Sequence, residues 1–460
     1  MVSRTAGPGA IDTQPAEDAL KLAEDVVARA LKAGASEAEA LVMGEESALT
    51  RFANSEIHQN VAETSHTVNL RFVAGRRIAV LSTGRTDPDG LRLLVQRASA
   101  IVRTCEELDD WAGLPVPDGQ PKPVQAWSAG TAEATPEFRA EGVRAVIAAA
   151  DDAGVVAYGS FSTGVDTIAV ANSAGIRAAE QRTGSQLITV HMSPSGGNGY
   201  AETVSMDATT IDAAALGREA ASKARASDNA ISLPPGDYPV VLEEYAVVDI
   251  TDMLGYLGFS ALAVQEGRSF VEPGKRIGSD LVTVVDDGSD PLGLPMAFDY
   301  EGLAKQRVLM VENGICRNVV YDSQTAARDG VKSTGHGLPA PNPYGPFPLN
   351  TVMSAGTTSR EELIGGLNHG LLVTRFHYTN PVHPKLAIIT GMTRDGTFLV
   401  EGGKIAGPVR NLRYTQSYLD ALAGVSAVGS SRKTIKGFLG GAVVPAVRID
   451  AWTFTGATEH

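Results

Sequence analysis

The chain has 460 residues, 43% hydrophobic and 20% charged, with a net charge of −14, which is length enough for two or three domains with sizeable cores. So acidic a chain, with no basic run longer than "SSRK" or "GRR", suits neither a nucleic-acid backbone, which clustered Lys and Arg must neutralise, nor an electrostatic membrane anchor. Forty-nine glycines against 6% aromatic residues favour strands joined by tight turns over a helical bundle.

Residues 1–14 are small and polar and are expected to form a disordered tail without the apolar core of a signal peptide. A helix is signalled from Pro15. Proline stands in its first turn, Glu17 and Asp18 at the positive end of the dipole and Gly34 at the stop, with Leu20, Ala23, Val27 and Leu31 as an apolar stripe. The next stretch alternates with period two. Val68, Leu70 and Phe72 face one way and "VAGRR" turns the chain before "IAVLSTG", so three or four antiparallel strands precede a helix from about Asp87 to Val102. Residues 112–135 are Pro-rich and read as a linker or long surface loop. A helix from Pro136 to Asp151, several strands and a helix around Ile211 to Ala226 follow. The tripeptide "GGN" at Gly196 lies between two strand-like runs with no helix behind it, so it reads as a hairpin loop rather than a phosphate cradle.

"SDNAISLPPGDYP" marks the main boundary. Residues 15–230 read as an amino-terminal α+β domain and 231–460 as a strand-rich carboxy-terminal domain, with a helix of small residues over 247–264. No window approaches ~18 uninterrupted apolar residues, so no membrane span is expected. Cys105 and Cys316 form neither a disulfide framework nor a CxxC site, which fits a reducing, cytoplasmic setting.

Chemistry is not visible in the common motifs. HExxH and HExxxH, spacings that set two imidazoles for zinc, are absent, as are a nucleophile elbow, a Walker loop and a dinucleotide fingerprint. His369, His377 and His383 have even spacing, which puts them on one face of a single strand, but Pro381 and Pro384 interrupt it and no carboxylate lies between Glu362 and Asp395. Asp299 and Glu301 in "FDYEG" have the spacing of an acid/base pair, against which stands a solvated turn at Gly302, the preferred reading. Asp286 and Asp287 read as an acidic turn end. His336 sits in a Gly/Pro-rich loop, a place where a lone histidine is usually structural or idle.

Along nearly its whole length the chain resembles the TldD/PmbA family, also called peptidase U62 or the gyrase-modulator family. The blocks that carry the resemblance are "RFANSEIHQNVAETSHTVNLRFVAGRRIAVLSTGRTD", "GRSFVEPGKRIGSDLVTVVDDG", "FDYEGLAKQRVLMVENGIC", "STGHG", "GGLNHGLLVTRF" and "FLVEGGKIAGPVRNL". Family membership implies a heterodimer of two related subunits. The TldD-type subunit carries zinc on HExxxH plus a cysteine and cleaves unfolded peptides; the TldE or PmbA-type subunit lacks those ligands. In this chain Asp252, Met253 and Leu257 fall where that motif has its first histidine, glutamate and second histidine, and Ser431 falls near the cysteine. The resemblance therefore implies a chain with no catalytic residue and no metal of its own, paired with a zinc-bearing TldD-like partner and closing a chamber around extended peptide. Tyr256, Asp299, Glu301, His336, His369 and His377 are its candidates for a substrate or partner cleft. Two rivals stand beside this reading: a stand-alone homodimeric scaffold, and a metal-dependent hydrolase built on His369, His377 and His383.

Overall fold

The computed structural model describes residues 13–438 and 440–457, so most of the expected tail lies outside the described residues. The amino-terminal part comprises α1 (Gln14–Lys32), β1 (Glu37–Ala53), β2 (Glu56–Ala74), β3 (Arg77–Thr83), α2 (Pro88–Ile101), α3 (Ala129–Ala132), α4 (Pro136–Asp152), β4 (Val156–Asn172), β5 (Arg177–Met192), β6 (Asn198–Ser205) and α5 (Ala213–Ala226). The six strands form one antiparallel sheet in the order β3-β2-β1-β4-β5-β6.

Local chemistry explains these elements. Ala53 faces Glu56 across a two-residue loop, and Asn54 and Ser55 both take left-handed φ (53° and 59°), the turn whose twist matches the strands it joins. Asp87 caps α2 by accepting from Asp89 and Gly90 N–H. Period-two alternation drives Val68, Leu70 and Phe72 inward, where Ala23, Val27, Leu91 and Leu94 of α1 and α2 cover them. A second cluster sets Phe161 and Leu187 against Val143 of α4 and Leu216 of α5. "GGN" is indeed a hairpin loop, joining Met192 to Asn198.

The carboxy-terminal part contains β7 (Gly236–Leu242), α6 (Glu244–Leu257), α7 (Ala261–Gln265), β8 (Val284–Asp286), β9 (Val308–Glu312), β10 (Ile315–Cys316), α8 (Ser323–Asp329), β11 (Asn350–Met353), α9 (Arg360–Gly365), β12 (His369–His383), β13 (Ile388–Glu401), β14 (Lys404–Pro408), β15 (Leu412–Ser417), α10 (Tyr418–Ala423), β16 (Val425–Lys436) and β17 (Gly441–Ala457). Their sheet runs β10-β9-β8-β11-β17-β15-β13-β12-β7, and β7 also pairs with β17. Those last five strands thus close on themselves, leaving fewer free edges. Trp452 is fully buried there, stacked on Phe376 at 4.9 Å between centroids and edge-on to Tyr414. The fold is α+β, as expected from the sequence.

Two expectations need correction. The helix read over 247–264 is two helices, beginning earlier at Glu244 and broken at Gly258. Gly258 caps α6 through its N–H to Leu254 O, and Ser260 is already extended. A Cβ on Gly258 would lie 2.2 Å from the Phe270 ring, so glycine is required by close packing rather than tolerated mid-helix. Second, Pro381 does not end its strand. β12 runs on to His383, with irregular pairing to β13 around Asn380 and His383.

Candidate functional site

β7 delivers the chain into α6 across a buried ionic knot. Glu243, the residue before α6, receives Lys223 Nζ of α5 at 2.6 Å and Arg360 of α9 at 2.5 Å. Burial alone would raise its pKa, but the two cations outweigh that and hold it at about 2. Ten of the fourteen residues of α6 are buried, which makes it a core helix and not a lid.

The positions of interest run from Asp249 to its end. Asp249, half-buried, accepts from Thr379 Oγ1 (2.7 Å) and Tyr418 OH (2.8 Å); burial raises it to about 6, with those bonds pulling the other way. Asp252 is raised to about 7, again by burial, and accepts from Phe438 N at 2.6 Å. A Cβ on Gly437 would stand 2.7 Å from Asp252 Oδ1, so this short glycine segment closes directly over the carboxyl. Met253 packs at the margin of the main core and Leu257, 3% exposed, lies inside it. Tyr256 is exposed, its ring 6.1 Å from that of Tyr344. Ser431 is exposed in the irregular stretch where β16 bulges from β17 between Val428 and Arg432.

The other candidates do not converge on this helix. His369 and His377 are separated by eight strand residues, about 26 Å at 3.3 Å each. His369 lies 3.8 Å from Glu401, His377 rests on Tyr378, and His383 Nδ1 accepts from Leu386 N. The three do not gather on one site, and among the described residues no group of three or more His, Cys, Asp or Glu is placed to hold a metal ion. A hydrolase built on these histidines has no geometry to stand on.

Asp299 and Glu301 are not a solvated turn; both are buried. Asp299 accepts from the main-chain N–H of Gly337 (2.7 Å), Leu303 (2.9 Å) and Glu301 (3.0 Å), and Glu301 from Ser323 N (2.8 Å) and Oγ (2.7 Å). Burial holds both carboxyls above the usual range; the charge of Glu301 adds to the rise at Asp299 and that of Asp322 at Glu301. Across from them Arg71 of β2 lies between Glu301 (3.8 Å) and Glu39 of β1 (3.3 Å), tying the first sheet to the turn that holds Glu301. Asp286 is likewise a buried strand residue rather than a turn end. His336 Nε2 donates to its Oδ1 at 2.8 Å, since a carboxylate can only accept, and Lys305 Nζ lies 2.9 Å away. Burial raises Asp286, but Lys305 and His336 outweigh it and hold the carboxyl far below its usual range. His336 is therefore structural.

Sequence reasoning missed Asp249, Glu243, Lys223 and Arg71. Glu39 and Arg71 alternate with Ala38, Ala40, Leu70 and Phe72 and so lie on the opposite face of the sheet, where period-two patterning places charge in solvent, and nothing local signalled their burial.

A packed α6 end has a measurable consequence. Gly258→Leu should cost about 1–3 kcal/mol by overpacking against Phe270. A melting temperature that holds level or rises would exclude that contact.

Residues 235–456 match the PmbA/TldA metallopeptidase C-terminal domain and residues 38–102 the PmbA/TldA metallopeptidase domain 1. A metalloprotease TldD homolog of Buchnera aphidicola is 28% identical over 212 residues, covering 44% of this chain and 42% of the relative. A metalloprotease of Methanothermobacter thermautotrophicus is 29% identical over 233 residues, covering 49% and 50%. The chain thus spans about half the length of the curated relatives it matches. In fold it is similar to TldE from Thermococcus kodakarensis, with a TM-score of 0.86 over 95% of this chain and 100% of that one at 19% identity. Matched by two models of one family across both of its sheets, the chain belongs to the TldD/PmbA family.

Proposed function

We propose that this chain is the TldE-like, non-catalytic subunit of a two-subunit metalloprotease. The observation that carries the reading is α6 itself. At the positions where the family resemblance puts zinc ligands and general base, this helix has a carboxyl capped by Phe438 N–H, a thioether and a core leucine. Zinc needs three protein ligands and an open position for water, and one raised carboxyl with a distant serine hydroxyl cannot supply them. The partner is a TldD-like subunit that brings the zinc, and the substrate an unfolded peptide. This chain's task is to close the chamber and help position extended segments. The exposed rings of Tyr256, Tyr344 and Phe438 around the capped helix offer an amphipathic surface for that contact. No helix among the described residues is long and apolar enough to cross a membrane, and both cysteines are free thiols, in keeping with a cytoplasmic setting.

The test is co-expression with a TldD-like subunit, followed by metal analysis and peptide cleavage by each chain and by the pair. The expected result is less than one-tenth of a zinc per isolated chain, roughly stoichiometric zinc in the pair, and chelator-sensitive cleavage only when the TldD-like subunit is present. Chelator-sensitive cleavage by this chain alone, or failure to co-purify, would overturn the reading.

A further inference from the structure

The outer edge of the first sheet is only partly covered. β6 pairs with β5 from Ser185 to Met192. The next step is taken by the Pro-rich segment, where Thr183 N donates to Ala126 O at 2.9 Å and Ser128 N to Thr183 Oγ1 at 2.9 Å. Beyond Thr183, nothing among the described residues continues the ladder. Main-chain groups of an antiparallel strand alternate in direction, so Ala179 and Gln181 point N–H and C=O the same way as Thr183. They face a groove of about 610 Å³ walled by Leu20 of α1, by Pro121, Val124 and Trp127, and by Phe298. Pro121 and Pro123 have no N–H to donate, so this part of the Pro-rich segment cannot complete the ladder itself.

Two properties define the occupant. A row of unpaired N–H and C=O groups is matched by another extended main chain. The lining of the groove carries two carboxylates, Glu17 and Glu180, against one cation, Arg177. Glu17 is exposed at its rim, and Glu180 accepts from Ala297 N at 3.2 Å through Oε2. Glu180 Oε1 has no hydrogen-bond partner among the described residues; the nearby cation is Arg182, with Nε at 3.7 Å. Arg177, the cation lining the groove, is already paired with Glu24 at 2.6 Å. We propose that the edge Arg177–Gln181 of β5 is a peptide-docking site that takes an extended segment as an added strand, with a lysine or arginine directed at Glu180. Strand side chains alternate between faces, so basic residues on the Glu180 side leave apolar residues for the Leu20 side. This site does not depend on pairing with a protease, and a stand-alone chain would carry it equally.

The test uses the full chain and the peptide acetyl-Val-Lys-Val-Lys-Val-amide, read by amide hydrogen exchange and tryptophan fluorescence. Binding should raise protection of the Ala179 and Gln181 amides about tenfold or more. The same peptide N-methylated at alternate residues should give no protection, and Gln181→Pro, a change that edge strands tolerate, should abolish binding. Glu180→Gln should weaken the lysine peptide about tenfold, as loss of a charge-assisted bond would, and leave a Val/Gln analogue unaffected. The proposal is overturned if the N-methylated peptide binds equally well or if no peptide binds. It is also overturned if both amides are already protected in the free protein, since the chain would then cover its own edge.

Discussion

Replacing Arg71 by methionine should lower stability by about 3–5 kcal/mol, the range for breaking a buried ion pair from one side. Arg71 has only a tenth of its side chain exposed and Glu39 and Glu301 a twentieth each, so solvent offers little compensation. Burial raises Glu39 to about 7 even with Arg71 beside it. A carboxyl whose folded pKa is raised stabilises fully below its unfolded value of about 4.5, and that contribution is lost as pH rises through about 7. Without the guanidinium the folded values climb further, so the deficit of Arg71→Met should be smallest near pH 5 and grow toward pH 8. Adding Glu39→Gln should recover part of the loss, because it removes one uncompensated charge. Urea denaturation at the two pH values measures this, and a variant within about 1 kcal/mol of the parent at both would show that the Glu39–Arg71–Glu301 cluster does not hold the first sheet to that turn.

His191 on β5 should produce the opposite pH dependence. Its side chain is fully buried, both ring nitrogens lack a hydrogen-bond partner among the described residues, and burial lowers the imidazole to about 4. A histidine with a lowered folded pKa destabilises as pH falls from about 6.5, because the unfolded chain takes up the proton first. The full effect, reached at about pH 4, is about 3 kcal/mol. His191→Leu removes the titration and two unpaired polar atoms, so the variant should match or exceed the parent at pH 8 and gain markedly at pH 5. Thermal melts at both values decide the matter. An unchanged difference between parent and variant across that range would mean that the imidazole is neither dry nor neutral.

With these values the two slopes oppose each other between about pH 4.5 and 6.5, so the stability of the amino-terminal sheet is held across that mildly acidic window and falls on either side of it. Acid charges His191 inside the layer beneath α4 and α5, and rising pH charges Glu39 beside Arg71.

What the sequence by itself determined was whatever depends on neighbours a few residues away. Period-two alternation at Val68, Leu70 and Phe72 gives an inward strand face in any sheet, and Pro at the first turn with an acidic cap starts a helix whatever it packs on. The missing imidazoles at Asp252, Met253 and Leu257 are equally local, because a ligand set is a matter of residue type. The tertiary structure alone decided the rest. Gly258 ends α6 because the Phe270 ring occupies the space a Cβ would need, a clash between residues on different segments. Asp299 and Glu301 look like a turn in "FDYEG", and the turn is buried, with Arg71 of the first sheet, far away in sequence, reaching Glu301. His369, His377 and His383 have a spacing that suggests a shared face, but a strand advances about 3.3 Å per residue and holds them apart. Burial, charge pairing and close approach depend on what the fold brings alongside, and no window of neighbouring residues contains that information.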